Sequence, residues 1–282
     1  ETLGARGGTP LRLAQSTGAE HDPSFGPGGQ ITFFSNRDGL CVWACAWGGC
    51  DQPRRVACAT EDFTAMNPAW SPDGAHIAYS ARVKGTSSIL VAPAQGGAPR
   101  VLSSGHNELL PQWSADSRFV YFQSDRGGPA EIWRQPVDGS APPTRVTRGG
   151  GARAVESLDG QFLYYSRSRE ASPLVRRDLK TGSETQVPGL QVQSDLWCLT
   201  RKALFFFRPA GGGQAGQILS RYDLRTHIVT TIVDERMEQP MGLAANEEGK
   251  VVWSRTRPVA EIRKVRVRLP PRWPWDAWLR RW

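Results

Sequence analysis

The chain has 282 residues and a formal net charge of +8, from 35 Lys and Arg against 27 Asp and Glu. The basic residues are spread along the chain rather than gathered in a stripe with exposed aromatic residues, so we expect no nucleic-acid contact from the folded part. No apolar run reaches the length of a membrane span. The chain begins at Glu1, as expected of a processed product or of a fragment that has lost a targeting segment or an N-terminal domain.

The N-terminal segment predicts a strand without a partner in its own neighbourhood. Residues 1–8 are rich in glycine and are predicted to be flexible. Residues 9–14 then read T-P-L-R-L-A, which is typical of the last strand of a small sheet. Because no earlier strand precedes it, this strand must pair with a distant part of the chain.

A strand–turn–strand unit is clearest at residues 67–80, which read N-P-A-W-S-P-D-G-A-H-I-A-Y-S. Trp70 ends the first strand, and Pro72 and Gly74 suit a tight turn. Ile77 and Tyr79 then alternate with small residues, which is the pattern of a half-buried strand.

This unit recurs along the whole chain at a period of roughly 42–47 residues, which is the length of a propeller blade. The fifth copy is degraded, but its turn keeps the spacing. The turns lie near Gly29, Gly74, Ser117, Gly160, Lys202 and Gly249. Trp70 and its counterpart Trp113 are predicted to be buried between adjacent blades. A β-sandwich is the alternative, but sandwiches do not repeat their turns at one period.

The repeats predict an all-β, six-bladed β-propeller that spans 9–268. Its blades are four-stranded and antiparallel, at about 22–59, 67–102, 111–147, 155–187 and 196–233, with a three-stranded unit at about 242–267. The N-terminal strand supplies the fourth strand of that last blade by pairing with 261–267. Such pairing closes the ring and leaves no free sheet edge.

Several motifs resemble the repeat of the TolB-like propeller family. They are the W-S-P-D-G turn at 70–74, the Ser-x-Arg loops at 35–39 and 124–128, and the E-I-W-R strand at 131–134. The resemblance covers nearly all of the propeller and is most specific in the first three blades. It implies a six-bladed ring, and the Gly-His…Trp-Asp signature of WD-type repeats is absent.

The resemblance also implies a role in recognition. Blades four to six look most like the C-terminal propellers of bacterial transcriptional regulators that begin with a winged helix, which implies a non-enzymatic sensor or protein-interaction module. One alternative is a periplasmic TolB-like scaffold. Another is the propeller of a prolyl-oligopeptidase-like hydrolase without its catalytic domain. A periplasmic or other extracytoplasmic location is favoured over the cytoplasm.

The side chains that carry chemistry predict no catalytic residue, no metal and no cofactor. The nucleophile-elbow motif G-x-S-x-G is absent, and the four His fall in different blades. Four of the five Cys lie in the first blade without paired short spacings for zinc, at Cys41, Cys45, Cys50 and Cys58. Free buried thiols are the favoured interpretation. In an oxidising compartment, a Cys45–Cys58 or a Cys50–Cys58 disulfide is the alternative.

The segments that precede each innermost strand are expected to meet at the mouth of the central channel. Their mixture of charged, amide and apolar groups suits a protein or peptide partner, or a small polar ligand. The alternative is that they only cap the channel with water. The candidate binding residues are His21, Asp22, Met66, Asn67, Leu110, Arg153, Glu156, Asp195, Glu238 and Gln239.

The C-terminal segment 269–282 is rich in Trp and Arg and lies outside the repeat. Its aromatic and basic residues suit a membrane interface or a groove on a partner. The tryptophans concerned are Trp273, Trp275, Trp278 and Trp282. An unstructured terminus is the alternative.

Overall fold

A computed structural model of the chain describes residues 11–15, 20–58, 66–83, 85–210, 215–237, 239–255 and 261–266. Within these ranges the regular elements are β-strands and a short 3-10 turn at Pro27–Gly29. These ranges contain no helix long and apolar enough to cross a bilayer. The terminal segments predicted at 1–8 and 269–282, with the four tail tryptophans, lie outside the described residues.

The first half of the ring follows the N-terminal strand β1 (Leu11–Gln15) and contains three blades. Blade 1 consists of β2 (Glu20–Phe25), β3 (Gln30–Ser35), β4 (Cys41–Ala46) and β5 (Gly49–Cys58). Blade 2 consists of β6 (Met66–Trp70), β7 (His76–Val83), β8 (Thr86–Pro93) and β9 (Arg100–Ser103). Blade 3 consists of β10 (Glu108–Trp113), β11 (Phe119–Ser124), β12 (Glu131–Pro136) and β13 (Thr144–Arg145).

The second half has the same order, with each strand paired to the next. Blade 4 consists of β14 (Ala154–Glu156), β15 (Phe162–Ser166), β16 (Ser172–Asp178) and β17 (Glu184–Val192). Blade 5 consists of β18 (Trp197–Leu199), β19 (Ala203–Pro209), β20 (Gln217–Asp223) and β21 (Val229–Met237). Blade 6 contains β22 (Pro240–Ala245), β23 (Lys250–Arg255) and β24 (Glu261–Arg266).

The N-terminal strand completes blade 6. β1 pairs antiparallel with β24, with Leu11 opposite Lys264 and Gln15 opposite Glu261. The sheet order is therefore β1-β24-β23-β22, so the two ends of the described chain share one blade. This confirms the predicted six-bladed propeller, its four-stranded antiparallel blades and its closure by the N-terminal strand.

Three of the repeated hairpins share one hydrogen-bond pattern at their turns. In blade 2 the Ser71 hydroxyl donates to Asp73 Oδ1, and the same oxygen accepts the amide two residues further on at 2.9 Å. The pairs Ser114–Asp116 and Ser157–Asp159 repeat the contact at 2.6 Å. The residue after each Asp has a positive φ, as at Gly74 (76°). These contacts are local, which is why the turns are recognisable from sequence.

Hydrophobic side chains fill the space between neighbouring blades. Among the described residues, each of the six interfaces has its own cluster. Trp70 and Trp113, the predicted anchors, are 8% and 7% exposed. Trp70 packs so closely on blade 1 that a Cβ at Gly26 would lie 2.5 Å from its ring. Burial of these apolar side chains between blades stabilises the ring.

The Ser-x-Arg loops recognised in the sequence carry buried ion pairs. In blade 3, Arg126 stacks on the Phe122 and Trp133 rings at 5.6 and 5.3 Å and pairs with Glu108. The Glu108 side chain is fully buried and that of Arg126 is 13% exposed. Blade 1 repeats the arrangement with Arg37, Glu20, Phe33 and Trp43. Each pair joins the start of an innermost strand to the loop after the second strand.

The cysteines of blade 1 form two disulfides, Cys41–Cys58 and Cys45–Cys50. The prediction of free thiols, and the alternative pairings with Cys58, were therefore wrong. Cys41 lies directly opposite Cys58 in the β4–β5 ladder. Two register shifts follow in that ladder, and the tight turn at residues 47–49 brings Cys45 beside Cys50. The free Cys198 is buried in blade 5.

Candidate functional site

The innermost strands line a central channel, and equivalent positions in the six blades lie near one of its ends. These positions come the same number of residues before each hairpin turn. They are Asp22, Asn67, Leu110, Arg153, Asp195 and Gly242. A cavity of about 180 Å³ lies in the channel, and Asp22, Asn67, Arg153 and Gly242 are among its lining residues. We call this end of the channel the mouth.

Local backbone geometry positions several of these residues. Asp22, Asn67 and Leu110 have φ values of 54°, 54° and 58°, and the innermost strand shifts register at each of them. Asp and Asn tolerate this left-handed region better than most residues do. In blade 6 the position is Gly242, where a Cβ would lie 2.7 Å from the Asp22 Cα. Glycine thus lets the backbones of blades 6 and 1 approach each other closely.

Asp22 joins blades 1 and 2 at the mouth. Its Oδ2 lies 3.0 Å from His21 Nδ1 and accepts the Asn67 backbone amide at 3.2 Å. The His21 ring packs on Phe34 with centroids 4.5 Å apart. Burial raises the pKa of Asp22, but the contacts with His21 and Asn67 outweigh it and hold that pKa below its usual value. Asp22 is therefore ionised at neutral pH.

Arg153 enters the channel from blade 4. Its backbone amide donates to Ser166 Oγ, and its carbonyl accepts the Ser166 amide, so its Cα position is held by β15. The guanidinium lies over the Trp197 ring at 6.0 Å. Burial lowers the pKa of Arg153, and the charges of Asp195 and Asp22 partly oppose that effect. No described residue accepts a hydrogen bond from its buried Nε.

Asp195 forms the blade 5 part of the mouth. Its Oδ1 accepts the Ser194 hydroxyl at 2.9 Å, and its Oδ2 lies 3.7 Å from Arg169 Nη2. A second cavity, of about 230 Å³, includes Asp22, Arg169, Asp195 and Gly242 in its lining. Because Asp22 and Gly242 also line the channel cavity, the two cavities adjoin at the mouth.

The structure places Glu156 and Leu110 differently from the sequence expectation. Glu156 lies further along the innermost strand, where it accepts the Tyr121 hydroxyl at 2.7 Å and the Ala115 amide at 3.2 Å. It lines the channel towards the opposite end and links blades 3 and 4. Leu110 is 1% exposed, so its side chain is packed rather than offered to a ligand.

The remaining predicted residues differ in their surroundings. Met66 is half-buried, and its carbonyl accepts the Ser80 hydroxyl at 3.1 Å. Gln239 is exposed just before β22. Glu238 lies outside the described residues. The structure therefore brings Asp22, Asn67 and Arg153 together around one cavity, and Asp195 lines the cavity that adjoins it.

The mouth or channel residues that were missed from the sequence include Arg169, Cys198 and Gly242. The repeat contained the signal for Gly242, because it precedes its turn by the same number of residues as Asp22 does. Nothing local indicates that Arg169 approaches Asp195. Cys198 lines the cavity, and burial raises the pKa of its thiol to about 12, so the thiol is protonated at neutral pH.

The polar groups at the mouth are mainly charged side chains and backbone amides. In the described part of the chain, no three His, Cys, Asp or Glu side chains are arranged to hold a metal ion. The His21 ring contacts Asp22, and no hydroxyl or thiol of the described residues forms a hydrogen bond with that ring. A ligand that enters the channel from the mouth would meet two carboxylates, a guanidinium and backbone polar groups.

Comparison with solved structures shows the fold. A protein from Agrobacterium tumefaciens described as TolB is 20% identical and has a TM-score of 0.69, with 93% of this chain and 97% of that chain covered. A gluconolactonase from Xanthomonas campestris is 13% identical with a TM-score of 0.67, covering 92% and 89%. A puromycin-hydrolysing peptidase from Mycobacterium tuberculosis is 18% identical with a TM-score of 0.58, covering 78% of this chain but 37% of the peptidase.

Sequence comparison assigns the family. No curated protein sequence matches the chain significantly. Residues 50–215 match the family model described as the TolB beta propeller domain. That segment includes most of blades 2 to 5 and the W-S-P-D-G turn. Since it makes up more than half of the chain, this protein belongs to the TolB β-propeller domain family.

Proposed function

We propose that this propeller is a non-enzymatic recognition module that binds a peptide segment of a protein partner, or a small polar ligand, at the mouth of its channel. The observation that carries this proposal is the convergence of Asp22, Asn67, Arg153 and Asp195 from four blades. One ligand there would touch several blades at once. The charged atoms of the mouth lie on short segments that the blade cores hold in place, so little is lost in ordering them on binding.

The wider setting that we propose is the sensor or interaction part of a bacterial transcriptional regulator. The resemblance of blades four to six to such propellers supports it. The two disulfides of blade 1 favour an oxidising, extracytoplasmic compartment for this part of the protein. A periplasmic scaffold and the propeller of a larger hydrolase are the alternatives. The complete gene would discriminate among these three settings. A winged-helix segment would indicate the regulator, a signal peptide the periplasmic scaffold, and a hydrolase domain the enzyme.

The binding proposal predicts a selective effect of charge at the mouth. Peptides selected from a random library on the wild-type protein are expected to bind the Asp22→Asn, Asp195→Asn double variant at least about tenfold more weakly, because charge-assisted hydrogen bonds are lost. Asparagine is chosen because Asp22 accepts the Asn67 amide and has a positive φ, and both requirements suit Asn. Calorimetric titration measures the change, and thermal unfolding checks the fold.

The matched control removes the same number of negative charges at the opposite end of the innermost strands. The Asp116→Asn, Asp159→Asn variant alters two turn carboxylates there and is expected to bind the peptides like the wild type. Peptides that bind the mouth variant as tightly as the wild type, or that lose affinity equally in the control, contradict the proposal.

The absence of catalysis is part of the proposal and has its own test. Purified protein is expected to hydrolyse neither a sugar lactone, a nitrophenyl ester nor a peptide amide, because we find no activated nucleophile beside His21 in the described chain. The lactone is included because of the fold shared with the gluconolactonase. Turnover that survives repurification and disappears in one mouth variant would refute this part of the proposal.

A further inference from the structure

Arg153 is a half-buried cation of the channel with an unsatisfied hydrogen-bond donor. Its Nε is buried and has no hydrogen-bond partner among the described residues. No described carboxylate lies within ion-pair distance of it, although the guanidinium interacts at longer range with Asp195 and Asp22. A buried N–H donor without an acceptor costs free energy. A ligand in the channel that accepts a hydrogen bond from Nε would remove that cost.

The nearby carboxylates already have other partners. Asp22 accepts the Asn67 amide and contacts His21, and Asp195 accepts the Ser194 hydroxyl and faces Arg169. Both contacts of Asp22 are made by Oδ2, whereas Asp195 uses both of its oxygens. The Trp197 ring lies on one side of the guanidinium at 6.0 Å, which leaves the edge with its N–H groups for an incoming acceptor.

We infer that Arg153 binds a carboxylate that enters the channel from the mouth, a conclusion that deepens, and rests on, the recognition role proposed above. A carboxylate matches the planar fork of a guanidinium and accepts two parallel hydrogen bonds from it. A singly charged group also suits the site better than a doubly charged one such as sulfate, because sulfate would bring two negative charges close to Asp22 and Asp195. The cavity of about 180 Å³ admits a small acid or the end of a chain.

This carboxylate has two sources, a free organic acid or the end of a peptide chain, and the experiment separates them. The readout is the Nε–Hε signal of Arg153 in a proton–nitrogen correlation spectrum at pH 6, identified by its loss in Arg153→Gln. The probes are propionate, N-acetyl-Ala-Ala-Ala as the free acid and the same peptide as its amide. Sodium chloride and sodium sulfate at equal ionic strength serve as comparisons.

Propionate or the peptide acid is expected to shift this signal to saturation, whereas chloride leaves it unchanged and sulfate binds more weakly. Binding in Arg153→Gln is expected to be about ten- to a hundredfold weaker. The matched control is Arg176→Gln, which removes an exposed guanidinium from the outside of the same blade, over the Phe162 ring at 4.8 Å. It should bind the probes like the wild type.

Stability provides a second readout that a purely structural role would not reproduce. Removing an unpartnered, buried charge is expected to leave the melting temperature of Arg153→Gln unchanged or higher. Saturating ligand should raise the melting temperature of the wild type but not of this variant. A lower melting temperature in Arg153→Gln, with probe affinity unchanged, overturns the inference.

The outcomes also separate this inference from the proposed function. A signal that responds to propionate but to neither peptide supports the carboxylate site and contradicts peptide recognition. The peptide acid binding at least about tenfold better than the amide supports both. If no carboxylate moves the signal while library peptides still bind the mouth, the proposed function stands and the role of Arg153 is refuted.

Discussion

Replacing Trp113 with alanine is expected to lower the free energy of unfolding by about 3–5 kcal/mol, the range for removing a large buried aromatic side chain. The Trp113 side chain is 7% exposed and packs with Ile89 and Phe122 in the cluster between blades 2 and 3. Its Nε1 donates to the Ala69 carbonyl at 2.9 Å, so truncation also leaves a buried acceptor without its partner.

Chemical denaturation followed by circular dichroism measures this effect. Trp113→Phe is expected to lower the free energy of unfolding less than Trp113→Ala does, because phenylalanine keeps much of the apolar volume and the change removes mainly the indole N–H. The matched control is Leu158→Ala, which truncates a side chain that is 47% exposed and should change stability by less than about 0.5 kcal/mol. A loss below about 1 kcal/mol for Trp113→Ala is inconsistent with an anchor between blades.

Replacing Arg126 with methionine is expected to cost about 3–5 kcal/mol at pH 8, because it leaves the buried Glu108 carboxylate without its cation. Methionine keeps the contacts with the Phe122 and Trp133 rings that the Arg126 side chain makes. The Ser103 hydroxyl still donates to Glu108 Oε1 at 3.0 Å, but this hydrogen bond alone does not replace a full charge.

The loss of stability in Arg126→Met should depend on pH. Burial already raises the pKa of Glu108, and Arg126 opposes that rise. Without Arg126 the pKa of Glu108 in the folded state rises further above its value in the unfolded chain. At a pH between these two values, the folded state binds more protons than the unfolded chain does. The variant therefore loses stability as the pH increases between these two values. Its loss of stability relative to the wild type should be smaller at pH 5 than at pH 8.

Two further variants check this explanation. Adding Glu108→Gln to Arg126→Met removes the uncompensated charge and should restore most of the stability and abolish the pH dependence. Arg118→Met removes an exposed Arg from the same blade and should change stability by less than about 0.5 kcal/mol. A defect in Arg126→Met that is equal at pH 5 and pH 8 argues against the buried pair as its cause.

The sequence determined the number of blades and their closure. Alternating strands and the Ser-x-Asp-Gly turns depend on contacts within a few residues, such as the Ser71–Asp73 hydrogen bond, so each hairpin is specified locally. Their constant spacing then leaves one extra strand at the N-terminal end and a last blade that lacks one strand, and β1 pairs with β24 to remove both free edges. The buried positions of Trp70 and Trp113 followed from the same repeat.

Tertiary structure decided the pairing of the cysteines and the partners of the mouth residues. The pairing depends on two register shifts between β4 and β5, which no local pattern announces, so Cys41 meets Cys58 and Cys45 meets Cys50. Glu156 has the composition of a mouth residue, but it accepts hydrogen bonds from Tyr121 and Ala115 of the preceding blade and lies in that interface.

The Nε of Arg153 has no acceptor among the described residues, which also could not be read from the sequence. Whether a guanidinium finds an acceptor depends on side chains from other blades, and those distances exist only once the ring has closed.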